Sequence, residues 1–248
     1  MKSAAGHPVL HFERIDSTNS EARRLAEQGE YGPLWLVADR QDSGRGRLGR
    51  TWVSEPGNLY ATFLFPISAG PEIAAQAGLV AAVAVQAAVS RLRPDLAVRI
   101  KWPNDLLIGG AKVCGILSEV VGTAPTRIAL GCGINVAHAP TDTPYPATAL
   151  GPRCTVESVF EELDSSLSNC LKIWDEGQGF GAIRAAWSAA ALGIGGQAMA
   201  SIAGEATSGI FAGIAPDGAL LLQTGDGRLR PVHSGEVRFA ALEELRQA

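Results

Sequence analysis

The sequence contains 248 residues, of which 46% are hydrophobic and 19% charged, and its net charge is −4. These values are typical of a soluble globular protein with one ordinary domain and a small second one, and they argue against bulk nucleic-acid binding. The four cysteines lack C-x-x-C spacing and the first eight residues contain no apolar targeting core. We therefore expect reduced thiols and a cytoplasmic location.

The N-terminal part of the chain predicts a strand followed by a helix. Residues 9–15 alternate between apolar and polar side chains, which favours a strand. Thr18 and Glu21 have the spacing of a capping box, which predicts a helix that ends near Gly29. The polar residues 17–19 then have two interpretations: they cap the helix, or they present hydrogen-bonding groups to a ligand.

A cationic loop, residues 38–52, lies between predicted buried strands at residues 33–38 and 58–65. It has four arginines and three glycines within eleven residues. Arginine binds carboxylate or phosphate with two parallel hydrogen bonds, and glycine lets the backbone approach a ligand closely. The loop therefore predicts an anion site, with a solvated basic hairpin tip as the alternative. Residues 44–49 match G-x-G-x-x-G, but no apolar helix follows, so a dinucleotide site is not predicted.

Further along the chain, helical and strand patterns alternate. The alanine-rich residues 73–93 predict a buried helix rather than a membrane span, because polar side chains interrupt the run. Helical periodicity also covers residues 156–174 and 183–192, and strand patterns cover residues 97–102 and 126–135. From residue 193, short strands separated by glycine-containing turns predict a small all-β barrel. Those strands are expected at residues 198–203, 208–212, 219–223 and 236–239.

A predicted hairpin contains a lysine in an apolar setting. Residues 104–108 and 111–120 form its strands and Gly109-Gly110 its two-residue turn. Lys112 must reach water, a carboxylate or a ligand. Strand alternation predicts that Lys112 and Cys114 share a face. The alternative is an edge lysine whose stem covers apolar surface while its amine reaches water.

Taken together, six motifs resemble those of the biotin–protein ligases, also called biotin–acetyl-CoA-carboxylase ligases. They cover most of residues 9–140 in the family's order: Asp16-Ser17-Thr18-Asn19, Gly44-Arg45-Gly46-Arg47-x-Gly49-Arg50-x-Trp52, Asn58-Leu59-Tyr60, Lys101-Trp102-Pro103-Asn104-Asp105-Leu106, Lys112-x-x-Gly115-Ile116-Leu117-x-Glu119 and Gly131-x-Gly133-Ile134-Asn135. Near the C-terminus, Ser234-Gly235-Glu236 stands where the family has Gly-Gly-Glu. Only eight residues precede the first predicted strand, so the resemblance is to the monofunctional type without a DNA-binding domain.

The resemblance implies an α+β fold with a mixed sheet and helices. A class II synthetase-like biotin/lipoate ligase catalytic domain would span residues 1–192, and an SH3-like β-barrel residues 193–248. The implied activity is ATP-dependent activation of biotin as biotinyl-5′-AMP, followed by transfer to a lysine. The acceptor would be the biotin carboxyl-carrier domain of acetyl-CoA carboxylase or a related biotin-dependent enzyme. ATP and biotin are then substrates, Mg²⁺ is required, neither DNA nor a membrane is a partner, and a homodimer is left open.

Two alternatives stay open at this point. One is a lipoate ligase or octanoyl transferase of the same fold, for which Cys114 could be the nucleophile. The other is a biotin-binding protein, or a transcriptional regulator, without catalysis.

The family's site residues correspond to the following positions. Biotin would be bound by Ser17, Thr18, Asn19, Gln41, Gly44, Arg45, Gly46, Arg47, Lys112 and Gly115. ATP and the adenylate would contact Arg45, Arg47, Arg50, Trp52, Asn104, Asp105, Lys112 and Asn135. Lys112, Arg45 and Arg47 are the expected catalytic residues, and Asp105 is the candidate Mg²⁺ ligand.

The chemistry explains why cations are needed. The first step sets a carboxylate against a polyphosphate, and two like charges about 4 Å apart repel by about 1 kcal/mol in water and about 4 kcal/mol at an effective dielectric constant of 20. Cationic side chains offset this repulsion. No general base is required, because a carboxylic acid is already ionised at neutral pH.

Overall fold

The computed structural model describes residues 3–202 and 204–247, which contain two β-sheets and five α-helices. The large sheet has the strand order β1-β2-β3-β7-β6-β5-β4. Its strands are β1 (Val9–Phe12), β2 (Leu34–Ala38), β3 (Leu59–Ile67), β4 (Val98–Lys101), β5 (Asp105–Ile108), β6 (Ala111–Thr123) and β7 (Thr126–Ile134). Only the β1–β2 pair is parallel, so the predicted mixed sheet is confirmed.

Helices cover both faces of this sheet. They are α1 (Thr18–Glu27), α2 (Ala74–Leu92), α3 (Val156–Trp174), α4 (Phe180–Ala190) and α5 (Ala240–Gln247). α2 packs on the sheet and on α3 and α4, while α1 packs on the opposite face through Ala22 and Ala26. On that face α1 packs against β2, β3, β6 and β7, and the cavity described below lies beside it, toward β5 and β4.

α2 is buried, as predicted. Among the described helices it alone combines the length and hydropathy that could cross a membrane. Its alanine and valine side chains lie in the main hydrophobic core together with strands of the sheet and with α3. The apolar composition of α2 is therefore explained by packing inside the protein.

The second sheet is antiparallel, with the order β11-β10-β9-β8-β12. Its strands are β8 (Gln197–Ile202), β9 (Glu205–Ile214), β10 (Leu220–Gln223), β11 (Leu229–Val232) and β12 (Val237–Phe239). Phe211 packs on Trp187 of α4, with ring centroids 6.4 Å apart, and on Phe239 at 5.4 Å. The small β-unit is thus continuous with the main core.

Most predicted elements are confirmed with shifted ends. The first strand ends at Phe12, and the hairpin turn is Gly109-Gly110, where both φ angles are positive, +56° and +78°. A positive φ at both positions explains why a glycine pair forms this turn. Ala203, the last residue of one predicted strand, lies outside the described residues.

Two elements were not predicted. β11 contains Pro231 and has mostly exposed side chains, so it lacks the apolar alternation by which strands are recognised. α5 follows β12 directly. It could have been predicted from the sequence, because residues 240–246 are nearly all strong helix formers.

The N-terminal segment is bound to α3 by one buried carboxylate. Asp164 accepts hydrogen bonds from Ser3 Oγ, the Ala5 backbone N–H and Trp35 Nε1, each at 2.7 Å, and its Oδ1 lies 3.0 Å from His7 Nδ1. Burial raises the pKa of the Asp164 carboxyl, but the hydrogen bonds outweigh burial and the net pKa lies below its usual value. The ionised carboxylate is therefore part of the folded state.

We expect Asp164→Asn to lower the free energy of unfolding by about 1.5–3 kcal/mol at pH 7, because an amide offers only one acceptor oxygen to these donors. The lowered pKa means that the carboxylate stabilises the fold above its unfolded pKa of about 3.9, and that this contribution is lost as the pH falls through the folded pKa. The difference from wild type should therefore narrow below about pH 4. Urea unfolding at several pH values measures this difference in the free energy of unfolding, with the exposed Asp142→Asn as control. Equal unfolding midpoints for Asp164→Asn and wild type at pH 7 would contradict the expected destabilisation.

Candidate active site

A row of five residues across the large sheet forms the floor of a cavity. The strand register joins Tyr60 to Gly133, Gly133 to Gly115, Gly115 to Asp105 and Asp105 to Lys101. Residues that are paired directly across a sheet point to the same face. The middle of the row therefore has no side chains, and a carboxylate and an amine stand at the β4 end.

The glycines of this floor permit close contacts. A Cβ atom at Gly115 would lie 2.8 Å from Cζ3 of Trp52, and one at Gly133 would lie 2.5 Å from its Nε1. At Gly131, which pairs with Thr62, a Cβ atom would overlap Oδ1 of Asn19. These positions have to be glycine for the side chains to lie where they do, and the floor can accept a flat or extended group at backbone distance.

A buried polar network closes the end of the cavity next to α1. The backbone N–H and the hydroxyl of Thr18 donate to Gln41 Oε1 at 2.9 and 3.1 Å, and Gln41 Nε2 donates to Ser54 Oγ at 2.9 Å. The Thr62 hydroxyl lies 2.7 Å from Asn19 Oδ1. Donors and acceptors alternate here, which suits a ligand group that has both, such as a urea.

The predicted capping box is wrong. Ser17 is the N-cap residue and makes no side-chain cap hydrogen bond, while Thr18 is already the first residue of α1. Glu21 instead pairs with Arg24, with Oε2 and Nε 2.6 Å apart. Because the helix begins at Thr18, one residue earlier than the motif requires, the side chains of residues 17–19 do not cap it and are available to the cavity, which favours the ligand-binding interpretation.

Lys112 and Cys114 point to opposite faces of β6, so the prediction that they share a face is wrong. Leu106 pairs with Cys114 and Leu107 with Lys112, which makes Val113 the extra residue of a β-bulge. The bulge turns Lys112 toward the cavity and leaves Cys114 fully buried in the core. Sequence alternation does not reveal a bulge, which is why the prediction failed.

The Lys112 amine is held between aromatic rings and a carboxylate. Nζ lies 2.6 Å from Asp105 Oδ1, and 5.2 and 5.1 Å from the ring centroids of Trp52 and Tyr145. β6 is an interior strand, so the alternative of an edge lysine does not apply. The contacts give a charged amine a fixed position above the glycine floor.

Cys114 has neither the access nor the acidity of a nucleophile. It does not line the cavity, and burial raises the pKa of its thiol well above the usual value. A thiolate, rather than a thiol, attacks carbonyl groups. All four cysteines are free and buried.

We expect Cys114→Ala to leave turnover within a few-fold of wild type, because only a small buried side chain is lost. Steady-state turnover of Cys114→Ala is compared with that of wild type. Cys170→Ala, which removes a buried thiol of α3 outside the cavity lining, is the matched control. A complete loss of turnover, together with a thioester on Cys114 in the wild type, would contradict this expectation.

Three of the four loop arginines line the cavity, and they differ in their partners. Arg45 Nη2 donates to Glu119 Oε2 at 2.9 Å, and Arg50 is paired with Glu236. Arg47 is partly buried, lies 3.4 Å from Asn104 Oδ1, and has no ion pair among the described residues. Loss of hydration lowers the pKa of Arg47. The loop is therefore more than a solvated hairpin tip, and Arg47 is positioned to bind an anion.

The backbone of the loop excludes a dinucleotide fingerprint. A single 3-10 turn, Arg47–Gly49, stands where a Rossmann fold would have an α-helix. Within this turn Leu48 has a left-handed φ of +56° and is 74% exposed. The loop tip thus places an apolar side chain at the mouth of the cavity.

The cavity has a volume of about 600 Å³ and contains most of the predicted site residues. A volume of this size accommodates a drug-sized ligand. Of the predicted residues it is lined by Ser17, Thr18, Asn19, Gln41, Arg45, Gly46, Arg47, Arg50, Trp52, Asn104, Asp105, Lys112 and Gly115.

Two predicted residues, Gly44 and Asn135, lie behind the lining. The Gly44 carbonyl accepts from the Trp52 backbone N–H at 2.8 Å. Asn135 Nδ2 donates to the Thr148 carbonyl at 3.0 Å and lies 3.4 Å from that of Lys112. Both are placed to position neighbouring segments rather than to contact a ligand.

Several lining residues were not predicted. Lys101 and Tyr145 belong to this group, as do residues 235–239, 242, 243 and 246 of the C-terminal segment. Lys101 stands in the motif before Trp102, which was a usable signal. Tyr145 and the C-terminal residues are brought in by tertiary packing, for which the sequence offers no local pattern.

The described residues contain no group of three or more His, Cys, Asp or Glu side chains that could hold a metal ion. Asp105 is a single carboxylate beside Lys112. Mg²⁺ prefers octahedral oxygen coordination and commonly completes it with water and substrate phosphates. The donor set therefore fits a Mg²⁺ ion that arrives with a nucleotide, not a resident metal centre.

These features define a cavity with a polar end and several cations, and comparison with protein families names the class of protein that has it. The chain belongs to the biotin/lipoate A/B protein ligase family, whose model matches residues 11–135. A second family, the biotin protein ligase C-terminal domain, matches residues 199–239. The second match agrees with the predicted SH3-like unit.

Within that family the similar proteins are biotin ligases. The chain is 37% identical to a biotin–[acetyl-CoA-carboxylase] ligase of Paracoccus denitrificans, over 91% of this chain and 98% of that protein. It is 29% identical to a bifunctional ligase/repressor of Escherichia coli, over 96% of this chain and 76% of that one. The structure of Aquifex aeolicus biotin protein ligase in complex with biotin and ATP superposes with a TM-score of 0.78 at 28% identity, over 94% of this chain and 99% of that one.

Proposed function

We propose that this protein is a biotin–protein ligase, which forms biotinyl-5′-AMP from biotin and ATP and transfers the biotinyl group to a carrier lysine. The observation that carries the proposal is the convergence in one cavity of a glycine floor, a urea-compatible polar network, and the cations Lys112, Arg45 and Arg47. The names of the similar proteins and the biotin and ATP bound to the Aquifex enzyme support it.

In the proposed first step, a biotin carboxylate oxygen attacks the α-phosphorus of ATP and pyrophosphate leaves. Thr18, Asn19 and Gln41 would bind the ureido ring, and the apolar tail would lie along the glycine floor. Lys112 and Arg47 would then stand at the carboxylate and the α-phosphate, where negative charge accumulates. Fixed cations in a partly dehydrated site stabilise such charge more than water does.

The remaining predicted residues have supporting roles in this proposal. Arg50, Trp52 and Asn104 would contact the adenylate, and Gly44 and Asn135 would act through the segments that they position. Mg²⁺, when bound with ATP, neutralises phosphate charge. Asp105 is the candidate protein ligand for it and also holds Lys112.

In the proposed second step, the acceptor amine attacks the acyl carbon, AMP leaves, and the amine loses a proton. The developing oxyanion would lie close to Lys112. The acceptor would be a biotin carboxyl-carrier domain of acetyl-CoA carboxylase or a related enzyme. Residues 1–192 would form the catalytic unit and residues 193–248 the barrel. A cytoplasmic location without DNA or membrane partners stays a prediction from the sequence.

The proposal is tested by biotin-dependent exchange of labelled pyrophosphate into ATP. Wild type should exchange label with biotin and Mg²⁺, and far less with lipoate or octanoate. Exchange that depends on lipoate or octanoate, and not on biotin, would instead support the related acyl ligases. The absence of exchange with every acid, although biotin binds, would support a binding protein without catalysis.

A further inference from the structure

Lys101 is a cation that the proposed mechanism does not use. It ends the cross-sheet row on the edge strand β4, lines the cavity, and is partly buried. Loss of hydration lowers the pKa of its amine, while the nearby carboxylates of Asp105 and Glu236 act in the opposite direction. Lys101 has no ion pair among the described residues, because Asp105 is paired with Lys112 and Glu236 with Arg50.

The C-terminal helix α5 supplies a second cation on the same side. A Cβ atom at Gly110 would lie 3.3 Å from Leu245 Cβ and 3.6 Å from Leu242 Cδ1, so α5 packs against the turn of the β5–β6 hairpin. Arg246, which lines the cavity, is close enough to Lys101 to disfavour its charged form. Two cations without an ion pair among the described residues thus line the same cavity close to each other.

The charge balance of the lining indicates an anion in this region. Among the described residues, ten Lys, Arg, Asp or Glu side chains line the cavity, and seven of them are cationic: Arg45, Arg47, Arg50, Lys101, Lys112, Arg238 and Arg246. The acidic ones are Asp105, Glu236 and Glu243, and the first two are already paired. A cluster of like charges is unfavourable unless a multivalent anion binds to it.

We propose that Lys101 and Arg246 bind the β- and γ-phosphates of ATP and hold the leaving pyrophosphate, so that helix α5 is part of the nucleotide site. This inference rests on the proposed adenylation. Lys101 pairs in register with Asp105, which holds Lys112 near the reacting centre. Adjacent strands are about 4.8 Å apart, so Lys101 lies one strand farther out, where a polyphosphate would extend from the α-phosphate.

Measuring adenylate formation and adenylate transfer separately distinguishes binding of the pyrophosphate group from binding of biotin and from a structural role. Lys101→Met should raise both the KM for ATP and the inhibition constant for inorganic pyrophosphate about tenfold or more, since a charge-assisted contact is lost. The KM for biotin, and the transfer of biotin from synthetic biotinyl-5′-AMP to a carrier, should stay within about twofold because neither involves pyrophosphate. Lys101→Arg should restore part of the loss, and Arg246→Gln should change the same two constants by about three- to tenfold.

Arg228→Gln, in an exposed turn of the barrel outside the cavity, is the matched control and should behave as wild type. Unchanged pyrophosphate inhibition in both Lys101→Met and Arg246→Gln would overturn the proposal. Equal losses in adenylate formation and adenylate transfer would show a structural role and overturn it as well. If Lys101→Met changes these two constants and Arg246→Gln does not, the part of the proposal that places α5 in the nucleotide site would be wrong. Failure of the proposed function itself would be recognised differently, because wild type would then show no biotin-dependent pyrophosphate exchange.

Discussion

Lys112→Met is expected to reduce the rate of biotinyl-5′-AMP formation by about 100- to 1000-fold, the usual cost of removing one fixed transition-state donor. Lys112 is the cation whose position is most strongly fixed, by Asp105 at 2.6 Å and by two aromatic rings. Methionine keeps the apolar stem and the bulk but removes the charge. Single-turnover pyrophosphate release with saturating biotin and ATP measures the effect.

The control for Lys112→Met has two parts. Lys172→Met removes an exposed lysine on α3, far from the lining, and should leave the rate unchanged. Lys112→Met also leaves Asp105 without its partner, which can destabilise the fold. A thermal melt of the variant, and the double variant Lys112→Met with Asp105→Asn, distinguish lost chemistry from lost structure. Pyrophosphate release at more than half of the wild-type rate by a folded Lys112→Met protein would refute the assignment.

Arg47→Gly is expected to release the reactive adenylate into solution. Arg47 is a partly buried guanidinium without an ion pair in the described chain, and its nearest polar partner is the Asn104 amide. A phosphate would supply the missing partner, and a charge-assisted hydrogen bond contributes about 1.5–3 kcal/mol. We therefore expect the dissociation rate of biotinyl-5′-AMP to rise about 10- to 100-fold, with labelling of lysines on unrelated proteins.

Arg40→Gly is the matched control for release of the adenylate. Arg40 lies in the same loop as Arg47 but pairs with Asp42 and Glu55 outside the cavity. The substitution removes a charge and adds backbone freedom without touching the lining. Quantitative labelling of a bystander protein such as albumin compares the variants. An Arg47→Gly protein that labels the bystander no more than wild type would show that the arginine does not retain the adenylate.

We also expect bound biotinyl-5′-AMP to order the loop. Without ligand, the side chains of residues 45–50 contact the rest of the protein through the Arg45–Glu119 and Arg50–Glu236 pairs and the 3.4 Å contact between Arg47 and Asn104. Solvent-exposed ion pairs contribute at most about 1 kcal/mol each. Bound adenylate would add contacts to Arg47 and protect the loop from solvent. Hydrogen exchange across residues 43–50 should slow with biotin plus ATP. Equal exchange with and without these substrates would refute ligand ordering.

The parts of the site that could be predicted lie in short motifs next to strand ends. The loop arginines were found because they cluster with glycines in one loop, and Lys112 because it is a charged residue in an apolar strand. Gly115 was found only through the resemblance to the biotin–protein ligases. The direction of Lys112 could not be found in the same way, since it depends on the bulge at Val113. The capping pattern placed the N-cap at Thr18, whereas the N-cap of α1 is Ser17.

The parts that escaped prediction come from the assembly of distant segments. Tyr145 reaches Lys112 because residues 146–148 add a short parallel ladder along the Lys112 backbone. Arg246 reaches the cavity because α5 packs on a glycine turn in another part of the chain. Neither contact leaves a local signature, since its partner is far away in sequence.

Selection of biotin by this cavity and its transfer to a carrier protein can be measured together by intact-mass spectrometry. A biotin carboxyl-carrier domain is incubated with the protein, ATP, Mg²⁺ and equimolar biotin and lipoate. We expect a single biotinyl adduct on the carrier, absent when the acceptor lysine is replaced by arginine, and no lipoyl adduct. A lipoyl adduct in place of biotin, or an unmodified carrier with the folded wild-type protein, would contradict this expectation.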